Sequence, residues 1–218
     1  SKVVTERVQF IRKVAKDSGA RISEVLSDAA SSDPTQPGSI QDAMERFEKD
    51  GLVSKQTAGG ETVYRVIDEK RPLMVFYKNN LMHLFVPDAL LAASILAMQQ
   101  QGPAMPPEAL IDQTKFLSRL LKFEFVYAPG VDFDHQYAQT LETFLADGWL
   151  TRDVDGALRL TSTVAPVIRL YAKLLQNFIE SYSLMGRSLA VLRKGPMAET
   201  AFLDYVQQQA AHAFELGD

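Results

Sequence analysis

The longest apolar stretch of the sequence is Phe76-Tyr77-Lys78-Asn79-Asn80-Leu81-Met82-His83-Leu84-Phe85-Val86-Pro87, and it decides the fold. It continues through Asp88 and Ala89 into Leu90-Leu91-Ala92-Ala93-Ser94-Ile95-Leu96-Ala97-Met98. Five polar side chains interrupt it, namely Lys78, Asn79, Asn80, His83 and Asp88. An unpaired buried amide or imidazole costs roughly 1–3 kcal/mol, so the fold must supply partners for whichever of these groups it buries. Because residues 81–98 contain His83, Pro87 and Asp88, we predict a buried core helix there and not a transmembrane helix.

The composition predicts a folded globular protein in a reducing compartment. The chain has 218 residues, of which 46% are hydrophobic and 23% are charged. It contains no cysteine, which excludes a disulfide framework, a thiol nucleophile and a cysteine metal site. Its net charge of -4 gives no overall attraction to nucleic acid or anionic lipid. The chain starts at Ser1 without an initiator methionine, and we treat it as a piece of something longer.

Two similar helix-plus-hairpin units flank the apolar stretch. In the first, a helix with Ser39 as its N-cap ends at Gly51, and two strands follow on either side of Gly59-Gly60. In the second, a helix covers residues 136–145, Asp147-Gly148 stops it, and Asp155-Gly156 makes a two-residue hairpin turn. The helix ends align at an offset of 97 residues and the second strands at an offset of 94, because the second turn is shorter. Such units are typical of winged-helix modules.

Helical periodicity predicts most of the remaining chain. We predict helices over residues 3–17, 107–125 and 197–214, and one long helix from Pro166 to Leu192. The predicted fold class is therefore mainly α, a multi-helix protein with two small winged-helix-like units that is all-α or α+β. We predict an N-terminal winged-helix-like unit over residues 1–72 and a helical domain over residues 73–218, together forming one compact body.

The sequence offers few groups for chemistry. The three histidines form no metal-ligand cluster, no glycine-rich phosphate loop is present, and no Gly-x-Ser-x-Gly motif marks a serine nucleophile. His83 and Asp88 formally match the His-x-x-x-x-Asp pattern, in which an aspartate orients a histidine base. The match lies inside an apolar run with Pro87 between the two residues, so we interpret it as structural. We predict no catalytic residue, no metal and no cofactor.

The segment around Asn79 and Asn80 resembles the Tyr-Tyr-Arg-Asn-Asn-x-x-His-x-Phe-Val segment of bacterial glycerol-3-phosphate acyltransferases. Phe76 and Lys78 depart from the commoner Tyr and Arg. Residues 43–53, 59–66 and 116–127 resemble other segments of that family in the same order, so the resemblance covers about residues 40–192. The motif candidates, with predicted structural roles, are Tyr77, Lys78, Asn79, Asn80, His83 and Asp88.

The resemblance implies the C-terminal region of an enzyme that acylates position 1 of glycerol 3-phosphate. The family's catalytic motifs precede this region and have no counterpart here, so the resemblance implies an accessory domain that is not catalytic alone. The implied partners are the acyltransferase catalytic domain of the parent chain and the membrane surface. The implied location is the cytoplasmic side of the inner membrane or the cytoplasm. The alternative is a winged-helix-like regulatory or protein-interaction module. The acidic residues on the helices before the two hairpins argue against a nucleic-acid partner.

Overall fold

The computed structural model describes residues 40–125 and 132–216, together with Val8, Gln9, Ile11 and Arg12. Within residues 40–125 and 132–216 it has eight α-helices and two antiparallel two-stranded sheets. The helices are α1 (Ile40–Lys49), α2 (Arg71–Met82), α3 (Val86–Gln99), α4 (Pro107–Leu120), α5 (Phe133–Ala146), α6 (Ala165–Leu174), α7 (Gln176–Ser188) and α8 (Glu199–Leu216). The strands are β1 (Val53–Ala58), β2 (Glu61–Val66), β3 (Leu150–Arg152) and β4 (Leu158–Leu160). The predicted fold class, mainly α with two small hairpins, is confirmed.

The described residues divide into two compact units at the start of α3. The first holds the described residues up to Val86 together with Phe125, and the second holds Pro87–Glu124 and residues 132–216. The predicted domain boundary after residue 72 stays a prediction. Most of the predicted helix over residues 3–17 lies outside the described residues, although Val8, Gln9, Ile11 and Arg12 are helical.

The two helix-plus-hairpin units share the same helix end. The amide of Leu52 donates to the carbonyl of Phe47 at 2.8 Å, and the amide of Trp149 donates to the carbonyl of Phe144 at 2.8 Å. This bond closes a Schellman motif, which requires a left-handed residue just before the donor. Gly51 with φ 66° and Gly148 with φ 69° supply that conformation without a side-chain clash. The predicted stops at both glycines are thus confirmed.

The repeat extends further than the sequence pattern suggested. Each hairpin is followed by a short 3-10 turn, Asp68–Lys70 in the first unit and Ser162–Val164 in the second. The next helix then begins at Arg71 or at Ala165, with proline as its second residue in both cases. Since the offset of 94 residues holds through these elements, α2 is the structural counterpart of α6.

Several helix and turn boundaries differ from the predictions. The apolar stretch is not one helix, because α2 ends at Met82 and α3 begins at Val86, with Pro87 in its first turn, where its missing N–H costs nothing. The long helix after the second hairpin is divided at Leu175 into α6 and α7. The second hairpin turns through three residues, because Asp153 and Ala157 still pair, and Gly156 takes φ 85° to close it.

The core of the second unit centres on the second hairpin. Phe144 is fully buried, with ring centroids 4.8 Å from Trp149 and 6.3 Å from Tyr171. Met105 pairs with Leu158 through two backbone hydrogen bonds of 2.9 Å and so adds a bridge to the hairpin. The helices, and Leu175 between α6 and α7, contribute further fully buried side chains: Ala89, Leu91, Ala92, Ile95, Leu110, Ile168 and Leu175. This burial of apolar surface is the main favourable term for folding the unit.

Candidate functional site

Four of the six motif residues lie on helix α2. Tyr77 and Asn79 are exposed, Lys78 is half-buried, and Asn80 belongs to the helix although its side chain lies outside the described residues. The 3-10 turn before α2 fixes its start, because Asp68 accepts from Arg71 at 2.7 Å and from Arg65 on β2 at 3.2 Å. The hydrogen bond from Arg71 and the charges of both arginines hold the pKa of Asp68 below its usual value.

The covered side of α2 carries Met74, Lys78 and Met82, spaced four residues apart. Met82 is buried, and the other two are half-buried. Burial disfavours the charged ammonium and lowers the pKa of Lys78. Lys78 thus takes a position between polar surface and apolar interior, with its aliphatic stem available for packing.

The opposite side of α2 presents apolar side chains to solvent. Phe76 is 59% exposed, Tyr77 is 54% exposed, and Leu73 is 40% exposed. Because these three residues are one, three and four positions apart, they lie side by side on the helix surface. We call Leu73, Phe76 and Tyr77 the outward face of α2. The rings of Phe76 and Tyr77 meet edge to face, with centroids 6.0 Å apart. Large exposed apolar patches mark interaction sites more often than isolated exposed residues do.

The internal repeat gives a direct comparison for this face. The counterpart of Tyr77 on α6 is Tyr171, which is 3% exposed and lies 5.9 Å from the Trp149 ring. The counterpart of Met74 is Ile168, which is fully buried. The position of Tyr77 and Tyr171 is therefore on the surface in the first repeat and in the core in the second. Tyr77 is thus exposed to solvent although the tyrosine at the equivalent position packs in the core.

His83 and Asp88 lie in different elements and in different compact units. His83 is exposed in the turn after α2. Asp88 lies in the first turn of α3, where burial raises the pKa of its carboxyl from 3.8 to about 6. The structural role predicted for the six motif residues stays a prediction. Among the residues that the structure describes, no group of three or more His, Asp or Glu side chains could hold a metal ion.

Two features of the surface were missed by sequence reasoning. One is the outward face of α2, since an apolar run gives no indication of which of its side chains will be covered. The other is the run of residues 181–198, which contains no acidic residue and could have been found by charge patterning.

No helix in the described part of the chain is both long enough and apolar enough to cross a bilayer.

Comparison with known proteins identifies the family. The family model described as the glycerol-3-phosphate acyltransferase C-terminal region matches residues 2–218. This chain belongs to that family. The resemblance noted in the apolar segment is thus confirmed. No solved structure matches the chain.

The relatives of this glycerol-3-phosphate acyltransferase C-terminal region are much longer proteins. The protein named acyltransferase plsB1 from Mycobacterium tuberculosis is 24% identical over 206 residues, which are 92% of this chain and 32% of the relative. The plsB1 protein of Mycobacterium bovis gives the same values. The glycerol-3-phosphate acyltransferase of Actinobacillus pleuropneumoniae is 24% identical over 169 residues, which are 77% of this chain and 19% of the relative. The chain thus spans about a third or less of the relatives that it matches.

Proposed function

We propose that this chain is an accessory region of a glycerol-3-phosphate acyltransferase of phospholipid synthesis, at the cytoplasmic face of the inner membrane. In this proposal the transfer chemistry belongs to another part of the parent protein. The observation that carries the proposal is the family match over nearly the whole chain, to a region that makes up a third or less of its relatives.

The environment of the motif residues supports an accessory role. A histidine base needs a partner that orients its ring and an acceptor held within hydrogen-bond reach. His83 is exposed in the turn after α2, and Asp88 lies in the first turn of α3.

The outward face of α2 supports contact with the catalytic part of the parent protein. In this proposal the acyltransferase domain covers Leu73, Phe76 and Tyr77, as the second repeat covers Tyr171. The relatives contain more than twice as much additional chain as the matched region, which leaves ample protein to cover the face. Aromatic side chains are enriched at the centres of protein interfaces, where they contribute much of the binding energy.

The first experiment measures transfer of a radiolabelled acyl group from acyl-CoA to glycerol 3-phosphate. The 218-residue chain is compared with a protein in which the upstream sequence of its gene is restored. We expect activity in the longer protein only. Activity in the 218-residue chain that is lost on His83→Ala would overturn the proposal and assign the chemistry to His83.

The second experiment tests the contact surface separately. When the upstream part and this chain are produced separately, Phe76→Ser with Tyr77→Ser should weaken their association by at least about tenfold, as expected for interface aromatics. The matched control is Val63→Ser with Val154→Ser, two other exposed apolar residues. Equal losses in both variants would refute the outward face as the contact and leave the accessory role intact.

A further inference from the structure

The segment of residues 185–197 combines exposed apolar side chains with unopposed positive charge. Residues 181–198 contain three of the 23 Lys and Arg residues and none of the 27 Asp and Glu residues. The three cations are Arg187, Arg193 and Lys194, and all are exposed. Within the described ranges 40–125 and 132–216, none of them forms an ion pair. We call residues 185–197 the basic apolar segment.

The local geometry places the apolar residues on one line. After α7 the chain continues as a 3-10 helix, Leu189–Lys194, in which residues three apart lie on the same side. Leu189, which is 48% exposed, and Leu192, which is 38% exposed, therefore form one ridge. Met185 precedes this ridge by one helical turn, and Met197 follows it after Gly195-Pro196; both are exposed.

The cations lie on both sides of this ridge. With three residues per turn, Arg193 and Lys194 project about 120° to either side of Leu192. Arg187 lies in the last turn of α7, just before the ridge. Cations at helix C-termini also complement the helix dipole, which is the ordinary explanation for such residues. The dipole does not account for the leucines and methionines that the same segment leaves exposed.

We propose that the basic apolar segment is a docking site for an anionic lipid surface. Leu189 and Leu192 would enter the interfacial layer, and the long side chains of Arg187, Arg193 and Lys194 would reach the phosphates. Charge complementarity selects this occupant, because the segment is locally cationic although the whole chain carries -4. Glu180 and Glu199 border the acid-free run of residues 181–198, which contains the segment, and limit the cationic region to that run. The inference depends on this surface alone and does not rest on the acyltransferase role.

Vesicle sedimentation with the 218-residue chain tests the proposal. One set of vesicles is phosphatidylcholine, and in the other about a third of the lipid is phosphatidylglycerol. We expect binding to the anionic vesicles only, and weaker binding as salt is raised. Absence of binding to anionic vesicles, or equal binding to both kinds, would overturn the proposal.

Substitutions locate the binding surface. Each basic residue at an anionic surface contributes about fivefold in affinity, so Arg187→Gln with Arg193→Gln and Lys194→Gln should lower binding about 100-fold. Leu189→Ser with Leu192→Ser should lower it at least about tenfold while leaving the charge unchanged. The matched charge control is Lys49→Gln with Lys55→Gln and Lys70→Gln, three exposed lysines in the first unit.

The controls separate a local site from general electrostatics. The apolar control is Val63→Ser with Val154→Ser, also exposed residues outside the segment. Both controls should bind anionic vesicles as the unchanged chain does. If either control lost as much binding as the corresponding segment variant, the assignment to residues 185–197 would be wrong. Circular dichroism of every variant checks that the helical content is retained.

Discussion

Asp88 is an acid whose ionisation opposes folding. Its pKa is 3.8 when unfolded and about 6 in the folded chain, because burial disfavours the carboxylate. The folded state therefore binds more protons between these values, and the free energy of unfolding falls as pH rises from about 4 to about 6. Above about pH 6 the ionised carboxylate lowers the free energy of unfolding by about 1–3 kcal/mol, at about 1.4 kcal/mol for each unit by which the pKa is raised.

Replacing Asp88 with Asn tests this cost, because the amide keeps the size of the side chain and does not ionise. Asp88→Asn should raise the free energy of unfolding by about 1–3 kcal/mol at about pH 7, and the gain should vanish near pH 4. Urea denaturation at several pH values measures it. Asp112→Asn, an exposed acid on α4, is the control. A gain that did not depend on pH would contradict the explanation.

Phe144 is the residue whose truncation should damage the second unit most. Its ring is fully buried and packs against Trp149 and Tyr171. Phe144→Ala should lower the free energy of unfolding by about 3–5 kcal/mol, through lost transfer energy and the cavity that remains. Chemical denaturation monitored by Trp149 fluorescence measures it. A loss below about 1 kcal/mol would show that the neighbouring rings collapse into the space.

Tyr137 should behave differently although it is also buried. Burial raises the pKa of its phenol to about 12, and its hydroxyl has no hydrogen-bond partner among the residues that the structure describes. Tyr137→Phe keeps the stacking on Phe133, at a centroid distance of 5.9 Å, and removes the unpaired hydroxyl. We expect the free energy of unfolding to stay equal or to rise by about 1 kcal/mol. A clear loss of stability would reveal a partner for the hydroxyl.

At the scale of elements, the two Schellman motifs make a paired prediction. Gly51 and Gly148 have positive φ, so an alanine at either position should cost about 1–2 kcal/mol. Gly186→Ala is the matched control, because Gly186 lies inside α7 with open space around the added methyl group. That control should raise the free energy of unfolding by about 0.5–1 kcal/mol, because alanine favours the helix more than glycine does. Thermal unfolding of the three variants distinguishes these opposite signs.

At the scale of the whole molecule, the two helix-plus-hairpin units allow a test of the winged-helix alternative. Their first helices expose carboxylates, among them Glu45, Glu48 and Glu142, which repel phosphate. We expect no binding to duplex DNA at about 150 mM salt in a gel-shift assay, because too few cations are available to release counterions. Binding that weakens steeply with salt would favour a regulatory module instead.

The local structure and the family could be predicted from the amino-acid sequence alone. The stops at Gly51 and Gly148, both hairpins and most helices follow from nearest-neighbour chemistry, because caps, turns and periodicity act within a few residues. Even here the sequence pattern joined helices that the structure separates between Met82 and Val86 and at Leu175, because apolar residues lie in both breaks. The family could be identified because segments 43–53, 59–66 and 76–86 occur in one order.

Which apolar side chains are buried could be learned only from the tertiary structure. Tyr77 and Tyr171 occupy equivalent positions in the repeat, yet one is 54% exposed and the other 3% exposed. Likewise, the exposed Leu189 and Leu192 belong to an apolar pattern that reads from sequence as core. Exposure depends on contacts with residues that are far away along the chain, so a local pattern of hydrophobicity cannot determine it. Both proposed contact surfaces consist of residues of this kind.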